Sequence, residues 1–63
     1  MLQLKPLREN RGFTQEDLAA RLGVSRSAVA MWETGQNTPP TKYLVAIADA
    51  LECSVDTLLG KPS

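Results

Sequence analysis

Histidine is absent from this 63-residue sequence, and Cys53 is its only cysteine. Without these residues the chain cannot build a disulfide framework, a tetrahedral zinc site, or a nucleophilic site of the Ser-His-Asp or Cys-His type. Because Cys53 lies among apolar neighbours, we interpret it as a buried structural thiol. A lone free cysteine and the absence of a signal-peptide pattern favour a reducing cytoplasm. The composition predicts a cytoplasmic chain that is not an enzyme and that requires neither a metal nor a cofactor.

The sequence also lacks a long apolar run and an excess of charge of either sign. Its longest apolar run covers residues 43–48, far short of the roughly 20 residues that a membrane-spanning helix needs, so we expect no membrane partner. Seven basic and seven acidic residues give a net charge of zero, but residues 1–42 carry six basic and four acidic side chains. Any phosphate binding in that region would depend on backbone N–H groups and polar side chains as much as on cations.

The most informative pattern covers residues 14–33, which predict two short helices joined by a tight turn. Gly23 can adopt the positive φ that such a turn needs, and the small side chain of Ala19 lets the two helix backbones approach. Val29 and Trp32 are three residues apart and share the inner face of the second helix, so Trp32 is interpreted as a core residue. This spacing is typical of a helix-turn-helix, whose second helix enters the DNA major groove; the alternative is an ordinary helical hairpin.

The whole chain is expected to form one all-α domain of five short helices. Thr14 and Ser25 occupy N-cap positions, and Asp17 forms a capping-box-like pair with Thr14. The expected helices are residues 2–11 (starting near Lys5 if Pro6 lies in the first turn), 15–22, 26–33, 41–51 and a short last helix capped by Ser54, followed by a frayed tail at 60–63.

The chain resembles the Cro and lambda-repressor type of helix-turn-helix regulators in three motifs, LRENRGFTQEDLA, GVSRSAVAMWETGQNTP and LVAIADALECSVDTLL. The resemblance extends from about Leu4 to Gly60, and the motifs are specific in combination. It implies a compact five-helix, lambda-repressor-like domain. It also implies a sequence-specific transcriptional regulator, expected to be a repressor, that inserts helix 3 into the major groove of double-stranded DNA.

The resemblance assigns DNA contacts to two groups of residues. The positions that match base contacts are Arg26, Ser27, Ala30 and Met31. The positions that match phosphate contacts are Thr14, Gln15, Ser25, Thr34, Gln36, Asn37 and Thr38. Arg26 suits guanine O6 and N7, with a solvated surface arginine as the alternative. Ala30 and Met31 have no donors and contact either a thymine methyl group or the sugar-phosphate backbone. Ser25 either caps its helix only or also reaches a phosphate.

Other positions are expected to be structural. They are Arg8, Ala19, Gly23, Val29, Trp32 and Glu33. The resemblance implies that Arg8 and Glu33 form a buried ion pair between helix 1 and the end of helix 3. Glu52 occupies a position where the family often has glycine, and a left-handed residue there costs about 1 kcal/mol or more. We therefore expect helix 4 to end differently from the family pattern.

Such regulators usually dimerise, so we expect a weak homodimer that DNA strengthens. Its contact surface would lie around the loop before helix 4 and the last two helices, where Val45 or Leu59 could be exposed. The alternative function is an antitoxin or adaptor-type module that binds a protein partner. The acidic residues Asp49, Glu52 and Asp56 would suit a basic partner, or they simply form a solvated face.

Overall fold

The computed structural model describes residues 2–61 and contains five α-helices. They are α1 (Leu4–Asn10), α2 (Gln15–Leu22), α3 (Arg26–Thr34), α4 (Thr41–Ala50) and α5 (Val55–Leu58). These described residues include no strand, so the all-α prediction is confirmed. Helix 1 is shorter than expected, and Pro6 lies in its first turn, where the missing N–H removes no helical hydrogen bond. Over the same residues, no helix has the length and hydrophobicity needed to cross a membrane.

The N-caps and the turn of the helix-turn-helix have the structure that the sequence predicts. The Asp17 N–H donates to Thr14 Oγ1 at 3.0 Å, and the Thr14 N–H donates to Asp17 Oδ2 at 2.9 Å, which completes the predicted capping box. The bond from the Thr14 N–H favours the charged carboxylate and is the main reason that the pKa of Asp17 lies below its ordinary value. Ser25 Oγ accepts from the Ala28 N–H at the start of α3. Gly23, at φ +70°, ends α2.

The core receives one fully buried side chain from each helix. These side chains are Leu4, Leu18, Val29, Ile47 and Leu58. Trp32 is 6% exposed and joins the same core, with its ring centroid 5.7 Å from that of Tyr43. The interpretation of Trp32 as a core residue is therefore confirmed. Ala19 is also buried, as its position between the helices of the motif requires.

The C-terminus of α4 contradicts our expectation that this helix would end differently from the family pattern. Glu52 adopts the left-handed conformation, at φ +54°. Its N–H donates to the Asp49 carbonyl at 3.2 Å, and the Cys53 N–H donates to the Ala48 carbonyl at 3.0 Å, which is the Schellman pattern. These hydrogen bonds and an ion pair between Glu52 and Arg11 offset the conformational cost. Cys53 is half-buried rather than buried, and burial raises the pKa of its thiol.

Glycine at position 52 is expected to stabilise the domain, because glycine adopts a positive φ without steric cost. In an Arg11→Ala background, which already lacks the ion pair, Glu52→Gly should raise the free energy of unfolding by about 1 kcal/mol. In the wild-type background the gain should be smaller, since an exposed ion pair contributes up to about 1 kcal/mol. Urea unfolding followed by Trp32 fluorescence measures both changes. A loss of stability in the Arg11→Ala background would contradict the expectation.

The last two described residues form hydrogen bonds with the end of α5, and the frayed tail over 60–63 stays a prediction. Gly60, at φ +78°, donates its N–H to the Thr57 carbonyl at 3.0 Å, and the Lys61 N–H donates to the Asp56 carbonyl at 2.9 Å. These bonds satisfy carbonyls that the helix end would otherwise leave unpaired. Residues 62 and 63 lie outside the described part of the chain. Ser54 Oγ accepts from the Thr57 N–H, which confirms the cap predicted for this helix.

Candidate nucleic-acid interface

A groove separates the first turns of α2 and α3 on the surface of the motif. It has a volume of about 370 Å³ and is lined by Thr14, Gln15, Glu16 and Arg26. Gln15 is the first residue of α2 and Arg26 is the first residue of α3, so both helix N-termini face the same space. The structure thus brings together two residues that match phosphate contacts, Thr14 and Gln15, and the main base-contact candidate, Arg26. The exposed N–H groups of helix N-termini favour an anion at such a position.

A buried ion pair supports one side of this groove. Arg8 Nε donates to Glu33 Oε2 at 2.6 Å, and the two side chains are 8% and 4% exposed. Arg8 also donates through Nη1 to the Phe13 carbonyl at 2.6 Å, which ties α1 to the segment before α2. The pair implied by the resemblance is therefore present.

Gln15 is attached to this ion pair, a contact that the sequence did not indicate. Its Nε2 donates to Glu33 Oε1 at 2.9 Å, and the residue is half-buried. An amide carries two N–H donors and one carbonyl acceptor, so this contact uses one of the two donors of a side chain that lines the groove. The contact fixes the direction of a side chain that would otherwise be free to rotate.

The base-contact candidates are exposed at the N-terminal end of α3 and half-buried one turn further along the helix. Arg26 and Ser27 are exposed, whereas Ala30 and Met31, one turn further along, are half-buried. The accessible polar groups therefore concentrate at the N-terminal end of α3, which is the end that a recognition helix directs to base edges. Ser25 precedes them with an exposed side chain whose oxygen is already used as the N-cap.

Four residues with predicted phosphate contacts lie at the end of α3 and just beyond it: Thr34 is the last residue of the helix, and Gln36, Asn37 and Thr38 follow in the loop. The Met31 carbonyl accepts from Thr34 Oγ1 at 3.2 Å and from the N–H groups of Gln36 and Asn37 at 3.0 and 3.4 Å. Asn37 Nδ2 also donates to the Met31 sulfur at 3.5 Å. All four residues are exposed, but the side chains of Thr34 and Asn37 also form hydrogen bonds within the protein. These contacts hold the loop close to the end of α3.

Glu16 is the residue of this surface that our sequence analysis missed. Its Oε1 lies 4.0 Å from Arg26 Nη1, and both side chains are mostly exposed. Position 16 follows Gln15 within the motif, but only the crossing of α2 and α3 shows that it faces Arg26. Among the described residues, no group of histidine, cysteine, aspartate or glutamate side chains is arranged to hold a metal ion.

Comparison with known proteins identifies the family and the fold of this chain. The helix-turn-helix family model HTH_3 matches residues 4–58. The chain is 42% identical over 48 residues to the cryptic phage CTXphi transcriptional repressor RstR of Vibrio cholerae, covering 76% of this chain and 43% of RstR. It is 39% identical over 58 residues to the HTH-type transcriptional activator BcrR of Enterococcus faecalis, covering 92% of this chain and 28% of BcrR. It therefore spans less than half the length of these relatives.

A solved structure with the same arrangement of helices is the P22 c2 repressor in complex with a synthetic operator. Its TM-score is 0.83 at 32% identity, and the alignment covers 89% of this chain and 85% of that one. The predicted repressor-like, five-helix fold is confirmed by this match.

Proposed function

Because this chain belongs to the helix-turn-helix family, whose model matches residues 4–58, we propose that it is the sequence-specific DNA-binding domain of a transcriptional regulator. Membership of this family confirms the resemblance found in the sequence and agrees with the prediction that the domain is not an enzyme. The regulator is proposed to be a repressor, as RstR and the P22 c2 protein are named, although BcrR is named as an activator.

The observation that carries the proposal is the shared groove of Gln15 and Arg26. With α3 in the major groove, Arg26 at its exposed N-terminal end is positioned to donate two hydrogen bonds to guanine O6 and N7. Gln15, held through Glu33, would then present its second N–H and its backbone amide to a phosphate. Gln36 and Thr38 would contact a second phosphate beyond the end of α3. The phosphate contacts set the register of the domain, and Arg26 supplies the choice of base.

We further propose that the domain acts as a weak homodimer on DNA, with recognition helices about 34 Å apart. Val45 on α4 is 48% exposed. Leu59 and Pro39 line an open groove of about 250 Å³ beside Trp32, where α5 meets the loop before α4. Leu59, which the sequence suggested could be exposed, is half-buried because it lies against the groove wall, and Pro39 is buried, so the exposed apolar side chain of this surface is Val45. So small an exposed apolar area suits a contact too weak to hold two free chains together. Operator DNA would supply the remaining coupling by bringing the two chains together.

A protein-binding module, of the antitoxin or adaptor type, is the second candidate function. Asp49 and Asp56 are exposed and could face a basic partner. Glu52 is already paired with Arg11, which reduces the charge of this surface and favours the interpretation of a solvated face. Binding of DNA and binding of a protein are compatible on this fold, since they use opposite parts of the chain. The cytoplasmic location expected from the unpaired Cys53 suits either function.

Selection of sites from a random pool of DNA duplexes, followed by fluorescence anisotropy, tests the proposal. The wild-type domain should enrich a two-fold symmetric site. Arg26→Ala should weaken binding to it by about 1–3 kcal/mol and relax the preference at one base position. Gln15→Ala should weaken binding to all sequences alike, because a phosphate contact carries no base preference. Lys61→Ala, which removes a positive charge after α5 and outside the groove, is the control and should change little.

Measurements at two or more salt concentrations separate this result from non-specific attraction. The proposal fails if no site is enriched and if salt abolishes the residual binding of wild type and Arg26→Ala alike. Enrichment of a single half-site without two-fold symmetry would retain the DNA-binding function and contradict the dimer.

A further inference from the structure

We propose that Glu16 contributes to specificity by pairing with Arg26. The pair would limit the attraction of Arg26 to non-specific DNA, which has no guanine at the position that Arg26 contacts. The proposal rests on the function proposed above, since it concerns the same groove. It adds an acidic residue to the proposed DNA-binding surface. Neither the negative charge of Glu16 nor its position in the motif would identify it as a DNA contact.

The two side chains meet across the groove from different helices. Glu16 is the second residue of α2, Arg26 is the first residue of α3, and Glu16 Oε1 lies 4.0 Å from Arg26 Nη1. Both side chains line the 370 Å³ groove together with Gln15. Glu16 and Arg26 are 77% and 66% exposed, so either can leave the pair when DNA enters. The contact is therefore a competing one and not a fixed part of the fold.

The helix ends explain why an acidic side chain is found here. The N-terminus of a helix favours negative charge and disfavours a cation, yet α3 begins with Arg26 and has no acidic residue in its first turn. The first turn of α2 has two, Glu16 and Asp17. Asp17 is used in the capping box with Thr14, which leaves Glu16 as the counter-charge for Arg26.

The pair affects the two kinds of DNA differently. On non-specific DNA, Arg26 meets phosphate oxygens, and the carboxylate of Glu16 repels those same phosphates while it competes for the guanidinium. On the cognate site, Arg26 gains two directed hydrogen bonds to one guanine, which a carboxylate at 4.0 Å does not match. Glu16 therefore weakens non-specific binding more than it weakens specific binding, and the difference is a gain in specificity.

Glu16→Gln tests this inference, because glutamine keeps the size of the side chain and removes its charge. Dissociation constants are measured for the selected site and for a scrambled duplex of equal length, at several salt concentrations. We expect affinity for the scrambled duplex to rise about three- to tenfold, with a salt slope steeper by about one. Affinity for the selected site should rise less, so that the ratio of the two affinities falls. Glu16→Asp keeps the charge, so its ratio of specific to non-specific affinity should stay close to that of the wild type.

Glu9→Gln is the matched control, because Glu9 is an exposed acid on α1 that does not line the groove. It makes the same change in net charge. The inference is overturned if Glu16→Gln and Glu9→Gln raise both affinities by the same factor, since net charge alone would then explain the effect. It is also overturned if Glu16→Gln leaves the ratio unchanged while the wild type still selects a site. Failure of the wild type to select any site would instead reject the proposed function.

Discussion

Replacing Glu33 with alanine is expected to lower the free energy of unfolding by about 3–5 kcal/mol. The substitution leaves the Arg8 guanidinium buried, with its Nε donor deprived of the carboxylate that now lies 2.6 Å away. Gln15 loses its acceptor at the same time. A domain of this size has only a modest total stability, so the variant should be largely unfolded at 37 °C. Urea unfolding at low temperature, followed by far-UV circular dichroism, measures the loss.

Two further variants separate the ion pair from the general effect of losing an acidic side chain. Glu9→Ala removes an exposed acid from α1 and should change the free energy of unfolding by no more than about 0.5 kcal/mol. Arg8→Met combined with Glu33→Met removes both charges and should cost less than Glu33→Ala, because no buried charge is left without a partner. If Glu33→Ala costs no more than Glu9→Ala, the ion pair does not hold the fold together.

Ile47→Ala is expected to lower the free energy of unfolding by about 2–5 kcal/mol, through the lost apolar contacts and the cavity that remains. Ile47 is fully buried at the inner face of α4. The core cluster to which it belongs contains residues of all four other helices, so the structure has little freedom to collapse around a smaller side chain. Urea unfolding followed by the fluorescence of Trp32, which belongs to the same core, measures the change.

Val45→Ala provides the control within the same helix. Val45 is 48% exposed, and alanine has the higher helix propensity, so the stability should change by no more than about 0.5 kcal/mol. Equal effects of the two substitutions would contradict the assignment of Ile47 to the core.

The features that the sequence predicted correctly depend on residues close together in the chain. Thr14 and Asp17 are three residues apart, and the caps formed by Ser25 and Ser54 also act over three residues. Such contacts follow from backbone geometry once a helix starts. The burial of Trp32 likewise follows from the period of its own helix.

The features that the sequence did not predict depend on how the helices cross. Gln15 and Glu33 are 18 residues apart, and the contact of Glu16 with Arg26 also joins two different helices. The pair of Arg8 with Glu33 was expected only because the chain resembles a known family. Glu52 was misjudged because its local conformational cost is small beside the hydrogen bonds that close α4.

The arrangement of the core determines what fraction of the molecules carries the groove between α2 and α3, the surface proposed to bind DNA. Each helix supplies one fully buried side chain. The detachment of any one helix would therefore leave a cavity in the core. The groove between α2 and α3 therefore depends on the shared core as well as on the ion pair of Arg8 with Glu33. The apparent affinity for DNA is the intrinsic affinity multiplied by the fraction of molecules that are folded. A substitution far from the groove lowers operator occupancy through that fraction alone, and an excess of cognate DNA restores it by mass action.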